Sequence, residues 1–157
     1  IARRQRQMCI RDSFMVEVHP EWAPIGAARF QELVEGDFFT DGIRFFWVDD
    51  FMAQFGIPGT PAKAAAWRQR TLQDDPVMQS NKRGCVAFAA TSPNARTTHM
   101  LINLRENTSL NQRGIVPFAK VVRGMDIVLK LQRSSTASDG QGLFHDRQPL
   151  LGSIWSF

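Results

Sequence analysis

From Phe14 to His19 the run FMVEVH alternates apolar and polar side chains, the period of a strand with one buried face. PEWAPIGAARFQELVEGDFF follows. Pro24 suits a first helical turn, Ile25, Ala28, Leu33 and their neighbours mark a buried stripe, and Gly36 is a natural stop. After the turn signal TDG, apolar runs at 44–48 and 51–55 flank Asp49-Asp50, which predicts a tight hairpin or a bent strand pair. The texture changes from Gly56 to Arg83: Pro58, Gly59 and Pro61, an Ala-rich piece with Trp67, then QDDPVMQSNKRG read as a long surface excursion with about one helical turn. CVAFAA and HMLINL are short strand-like runs around the turn-rich TSPNARTT, and Pro117 in IVPFAKVV argues for an edge strand or a bulge. GMDIVLKLQ has Met125, Val128, Leu129 and Gln132 at helical spacing, residues 133–148 read as a loose polar tail, and LLGSIWSF as a closing strand. Many short strands and two helices predict a mainly β fold, a closed antiparallel barrel capped by helices.

Composition changes this picture little. The chain has 157 residues, 43% hydrophobic and 22% charged, which fits one domain with a real core. No run approaches the roughly 20 apolar residues of a membrane span. The net charge of +4 is concentrated in the prefix, where Arg3, Arg4, Arg6 and Arg11 stand against Asp12 alone, so the body lacks the basic face that nucleic-acid binding needs. That prefix, residues 1–13, fits neither period and is read as separate from the domain at 14–157, either an artefact or a basic arm. Cys9 and Cys85 are too far apart in sequence for a zinc spacing, and Cys85 reads as a small buried thiol. His19, His99 and His145 are isolated, so no metal site is expected. Asp49-Asp50 and Asp74-Asp75 are adjacent pairs that read as solvated turn residues, since strand neighbours point to opposite faces. No phosphate loop and no nucleophile motif stands out.

The motifs VEVHPEWAPIGAARFQELV, FFTDGIRFF, FMAQFG, DDPVMQSNKRG, SPNARTT, LINL and PFAKVVRGMDIVLKL, in this order, resemble the cyclophilin-type peptidyl-prolyl cis-trans isomerases, from Phe14 to about Leu131. The resemblance is to the branch that reads QFGI where better-known relatives read QGGD. It implies a closed eight-stranded β-barrel capped by two helices, no cofactor, and proline-containing polypeptides as partners of a monomer. The chemistry implied is rotation about an Xaa-Pro amide, which breaks no bond. It calls for an apolar pocket, hydrogen bonds to the flanking backbone, and a donor aimed at the prolyl nitrogen.

Carried over residue by residue, the resemblance implies Phe51 and Met52 as pocket walls and Gln54 as a hydrogen bonder to substrate backbone, with core packing as the plain alternative for the first two. The arginine of the family fails to appear. Relatives read FFRVVPGFM and this chain FFWVDDFM, one residue shorter, so the position falls on Trp47 or Phe46 depending on the side from which it is counted. Arg44 is either a substitute donor or an ordinary strand residue. Ala89 matches the family, whereas Ala90 stands for an asparagine, His99 for a glutamine and Leu101 for a phenylalanine, and Leu110 follows Ser109 where a tryptophan is common. Two functions follow: an isomerase of low or altered activity, or a non-catalytic module that binds peptides in the same groove or at the PAKAAAWRQR loop. The sequence leaves the compartment open.

Overall fold

The computed structural model describes residues 13–40 and 43–131 and the backbone of Trp155–Ser156. The basic prefix with Cys9, the polar tail and His145 lie outside the described residues. In chain order the elements are β1 (Met15–Val18), α1 (Pro24–Glu35), a 3-10 turn (Phe38–Thr40), β2 (Trp47–Val48), β3 (Met52–Phe55), α2 (Pro61–Arg68), β4 (Cys85–Phe88), β5 (Met100–Asn103), α3 (Ser109–Gln112), β6 (Pro117–Arg123), α4 (Met125–Leu129) and β7 (Trp155–Ser156).

The strands form one sheet in the order β2-β3-β5-β4-β6-β1-β7, antiparallel except where β7 runs parallel to β1. Among the described residues there are therefore seven strands and four α-helices, where the resemblance implied eight strands and two helices. Pro61 accounts for one extra helix. Sitting at the first helical turn, where its missing N–H costs nothing, it starts α2 instead of breaking the chain. Pro117 opens β6 in the middle of the sheet, not at an edge, and the ladder accommodates it with a register shift opposite Val86 and Ala87.

Alternation sends one set of side chains inward. Val48, Ala53, Ile102, Val86, Ala119 and Val18 are successive partners across six strands, and each is at most 5% exposed. Phe30 of α1 packs on this face against Phe118 and Phe39, with centroids at 5.1 and 5.6 Å. Helix α1 stops at Gly36 as expected, but its buried stripe is Ala27, Phe30 and Leu33; Ile25 and Ala28 face solvent.

No side chain at Ala23 caps α1. The cap comes instead from fifty residues away: Asp75 accepts the amides of Ile25 and Gly26, each at 2.9 Å. Asp75 and Arg96 are buried and paired at 3.1 Å, and Arg96 also donates to the Gln73 carbonyl. Asp75 is thus no solvated turn residue. It joins the loop before β4 to the helix, while its neighbour Asp74 clamps Asn94 through reciprocal bonds of 2.8 and 2.9 Å. Cys85 is buried and free, and desolvation pushes its thiol pKa up.

Candidate active site

The opposite face of the same sheet carries a second row. Trp47 pairs with Gln54, Gln54 with Leu101, and Leu101 with Ala87, so these four side chains share one face. A small apolar cluster separate from the main core lies here: Ala87, Leu101, Leu110 and Ile115, with Met52 and Ala89 packed against it. Leu101 is 2% and Leu110 5% exposed, which makes them a closed floor. Phe51 at 49% and Trp47 at 37% are exposed, and Met52 and Gln54 are half-buried.

A carboxylate shapes the turn that presents Phe51. Asp49 Oδ1 accepts the amides of Phe51 at 2.7 Å and Met52 at 2.8 Å, and Oδ2 accepts the Trp47 indole N–H at 3.0 Å. Burial alone would raise this carboxyl, but the indole and the amides of Met52 and Phe51 outweigh it, so its pKa lies below the usual carboxylate value. The same bond draws the indole along its own strand toward the turn. On the other side of the turn, the Phe51 carbonyl accepts the Leu104 amide at 2.8 Å and Asn107 Nδ2 at 2.9 Å. The Arg105 guanidinium lies 4.8 Å from the Phe51 ring centroid. An aromatic half open to solvent is therefore held by its backbone from both sides.

Among the described residues the Gln54 amide has one partner: Nε2 donates to the Met52 sulfur at 3.4 Å, a weak acceptor. Phe46 donates its backbone N–H to the Gln54 carbonyl at 3.0 Å, so Phe46 and Trp47 both adjoin Gln54, and Trp47 is the one in register with it. Arg44 lies before β2 and is half-buried between the buried Ile43 and Phe45. At the far end of the row the Phe46 ring sits 5.6 Å from that of His99, and the Ala89 amide donates to the His99 carbonyl at 2.9 Å. Desolvation, reinforced by the charge of Arg68, holds the His99 imidazole below its ordinary pKa. Ala89 and Ala90 are half-buried beyond the end of β4. Gly56 ends β3 with φ at 105°, and a Cβ there would sit 2.1 Å from the Thr98 carbonyl oxygen, so the QFG turn requires glycine.

The sequence description of the cyclophilin type peptidyl-prolyl cis-trans isomerases matches residues 7–149. The chain belongs to the cyclophilin family. It is 31% identical over 140 residues to a peptidyl-prolyl cis-trans isomerase of Acinetobacter baylyi, covering 86% of this chain and 74% of the relative. Peptidyl-prolyl cis-trans isomerase B of Escherichia coli is 28% identical over 136 residues, 80% of this chain and 82% of the relative. The crystal structure of a cyclophilin type peptidyl-prolyl cis-trans isomerase from Cryptosporidium parvum superposes with a TM-score of 0.60 at 18% identity, over 73% of this chain and 74% of that one.

In this cyclophilin the residues singled out from the sequence fall into two groups. Leu101 and Leu110 belong to one small apolar cluster with Met52 and Ala89 packed against it, Gln54 and Trp47 are in register with Leu101 across the sheet, and Phe51 precedes Met52 as an exposed ring, whereas Phe46 and His99 pair apart from the cluster and Ala90 follows Ala89. Sequence reasoning missed the role of Asp49 and the asparagines behind Phe51. The asparagines at 103, 107 and 111 recur every four residues, but amides carry no hydrophobic period, so the pattern had no obvious meaning.

Proposed function

We propose that this cyclophilin binds Xaa-Pro segments on the groove face and rotates their prolyl bond slowly. Phe51 and Met52 form the wall for the proline ring, Leu101 and Leu110 its floor, and Gln54 the hydrogen bonder to the flanking backbone. The observation that carries the reading is the row itself: Gln54, whose amide makes one weak bond among the described residues, lies in register with Leu101 of an apolar cluster set apart from the core, close in sequence to an exposed Phe51 held by its backbone. Support for the ligand class comes from a related C. parvum isomerase crystallised in the presence of the dipeptide Ala-Pro, which aligns with a TM-score of 0.60 at 20% identity.

The prolyl barrier of about 18–20 kcal/mol comes from amide resonance. Twisting the bond localises the nitrogen lone pair, and a cationic donor there lowers the barrier because it acts on the twisted state more than on the planar one. The residue in register with Gln54 is an indole, which supplies one neutral N–H already given to Asp49. Binding and pocket shape then remain, and turnover is slow. The indole also favours a second reading, a groove that holds proline peptides without isomerising them. Arg44 is the local candidate for a substitute donor, and Arg44→Ala would lower any residual rate if it serves.

The same proposal treats residues 14–157 as one domain and closes the sheet into the eight-stranded barrel of the family. The contact of Phe14 beside β1 with Phe45 beside β2, at 6.4 Å, supports closure by bringing distant ends of the strand order together.

Exchange NMR on an Ala-Pro peptide tests the function. Cis-trans exchange above the uncatalysed rate is the expected result; binding without exchange establishes the second reading, and neither binding nor exchange rejects both.

A further inference from the structure

Behind the Phe51 wall four asparagines form an unbroken hydrogen-bonded chain. Asn111 Oδ1 accepts the Asn81 amide at 3.0 Å and Asn81 Nδ2 at 2.8 Å, and Asn111 Nδ2 donates to Ser80 Oγ at 2.8 Å. Asn81 Nδ2 gives its other hydrogen to the Ile115 carbonyl at 2.8 Å, and Asn81 Oδ1 accepts Asn103 Nδ2 at 3.1 Å. Asn103 Nδ2 also donates to the Cys85 carbonyl at 3.1 Å, and its Oδ1 accepts Asn107 Nδ2 at 2.8 Å. Asn107 Nδ2 sends its remaining hydrogen to the Phe51 carbonyl at 2.9 Å.

Asn81, Asn103 and Asn107 are all buried, at 0, 0 and 6% exposure, and each spends both hydrogens of its amide. Reversing any one of them would set an oxygen against a carbonyl, so the direction of the chain is determined. Burying three amides where apolar groups would pack is an unusual choice for stability alone. The chain reaches the backbone of Phe51 from its end at Asn107 and that of Ile115, in the floor cluster, from Asn81, while its other end at Asn111 bonds Ser80.

We infer that Asn107 is a positioning residue: its amide sets the Phe51 peptide plane, and through it the pose of the ring that a prolyl side chain packs against. This inference rests on the binding reading above. The Leu104 amide, the second donor to the same carbonyl, anchors that oxygen along one direction only, and Asn107 supplies the other.

Asn107→Ala and Asn107→Asp both remove the donor, and the aspartate keeps the size of the side chain should the alanine variant fail to fold. Val16→Ala, a core change at the other end of the sheet, serves as a stability control. Two readings are taken well below each melting temperature: affinity for an Ala-Pro peptide, and the upfield ring-current shift of the Arg105 Nε–H, which reports the Phe51 ring beneath it. The expected result is an affinity loss of about tenfold with collapse of the Arg105 shift in the Asn107 variants, neither appearing in Val16→Ala. An unchanged shift overturns the inference, as does an affinity loss that merely follows melting temperature in all variants. If the unaltered protein binds no proline peptide, the functional reading fails by itself, and the ring-current shift still decides whether Asn107 positions Phe51.

Discussion

Leu101 and Ile102 are consecutive residues of β5, both buried, and they serve opposite faces of one sheet. Ile102 belongs to a row that runs unbroken from Val48 to Val18 and is apolar throughout. Leu101 belongs to a row that changes character along its length, from exposed indole through glutamine to leucine and alanine. The uniform row can only pack. The graded row places a hydrogen bonder between a buried apolar residue and an exposed aromatic one, the combination on which the proposed peptide binding rests. Alternation lets four-residue strands do both, because a change on one face leaves the other in register.

The pair invites direct comparison. Ile102→Ala should cost about 3 kcal/mol of stability through the transfer and cavity terms, read as a lower urea midpoint at unchanged slope, with peptide affinity intact in the folded fraction. Leu101→Ala should cost about 2 kcal/mol, since its cluster is small and near the surface, and should also weaken peptide binding. Equal effects on affinity from both substitutions would erase the distinction between the faces.

A smaller effect probes the turn that gives the graded row its rim. Asp49→Ala removes acceptors for the Phe51 and Met52 amides and the Trp47 indole, and should cost about 1.5 kcal/mol. Because the native pKa is depressed, this contribution is complete above the ordinary carboxylate range and is lost as pH falls through the native value. The variant should therefore show a flatter acid limb in thermal melts from pH 5 to pH 2. An identical limb would mean that Asp49 stabilises nothing through its charge.

Trp47→Arg sharpens the comparison from the chemical side. The substitution restores a cation in register with Gln54 and should raise the rate of cis-trans exchange about tenfold, equivalent to about 1.4 kcal/mol of barrier, while stability shifts by less than about 0.5 kcal/mol at this exposed position. An unchanged rate in a folded variant would show that a missing donor does not limit this groove.

Features with local signals were legible in the sequence. The strand at 14–19, the run from Pro24 to Gly36, the helix after Gly124 and the FMAQ segment all announce themselves within a few residues. Partnerships across the chain were not. Asp75 looked like half of a solvated pair because Ile25 and Gly26, which it caps, lie about fifty residues away, and the cap position itself holds an alanine. Trp47 and Phe46 could not be separated by counting across a shortened turn; only strand register decides which stands opposite Gln54. The phase of the α1 stripe slipped for a related reason: Ile25 is apolar but falls on the outward side once Asp75 fixes where the helix begins.

The smallest expected effect lies at the far end of the graded row. His99 has its ring against Phe46 and its pKa held down by desolvation and by Arg68. Above about pH 6.5, the ordinary imidazole value, the ring is neutral in both folded and unfolded chains and does not couple stability to pH. As pH falls below that value the unfolded chain takes up the proton first, so stability declines until the native ring protonates as well, and below that point the loss is constant. His99→Gln should remove this decline, so the two proteins diverge as pH falls from 7 to 5. The difference is read as the gap between their melting temperatures across that range. Parallel curves would show that packing against Phe46 does not desolvate the exposed His99 ring enough to couple it to stability.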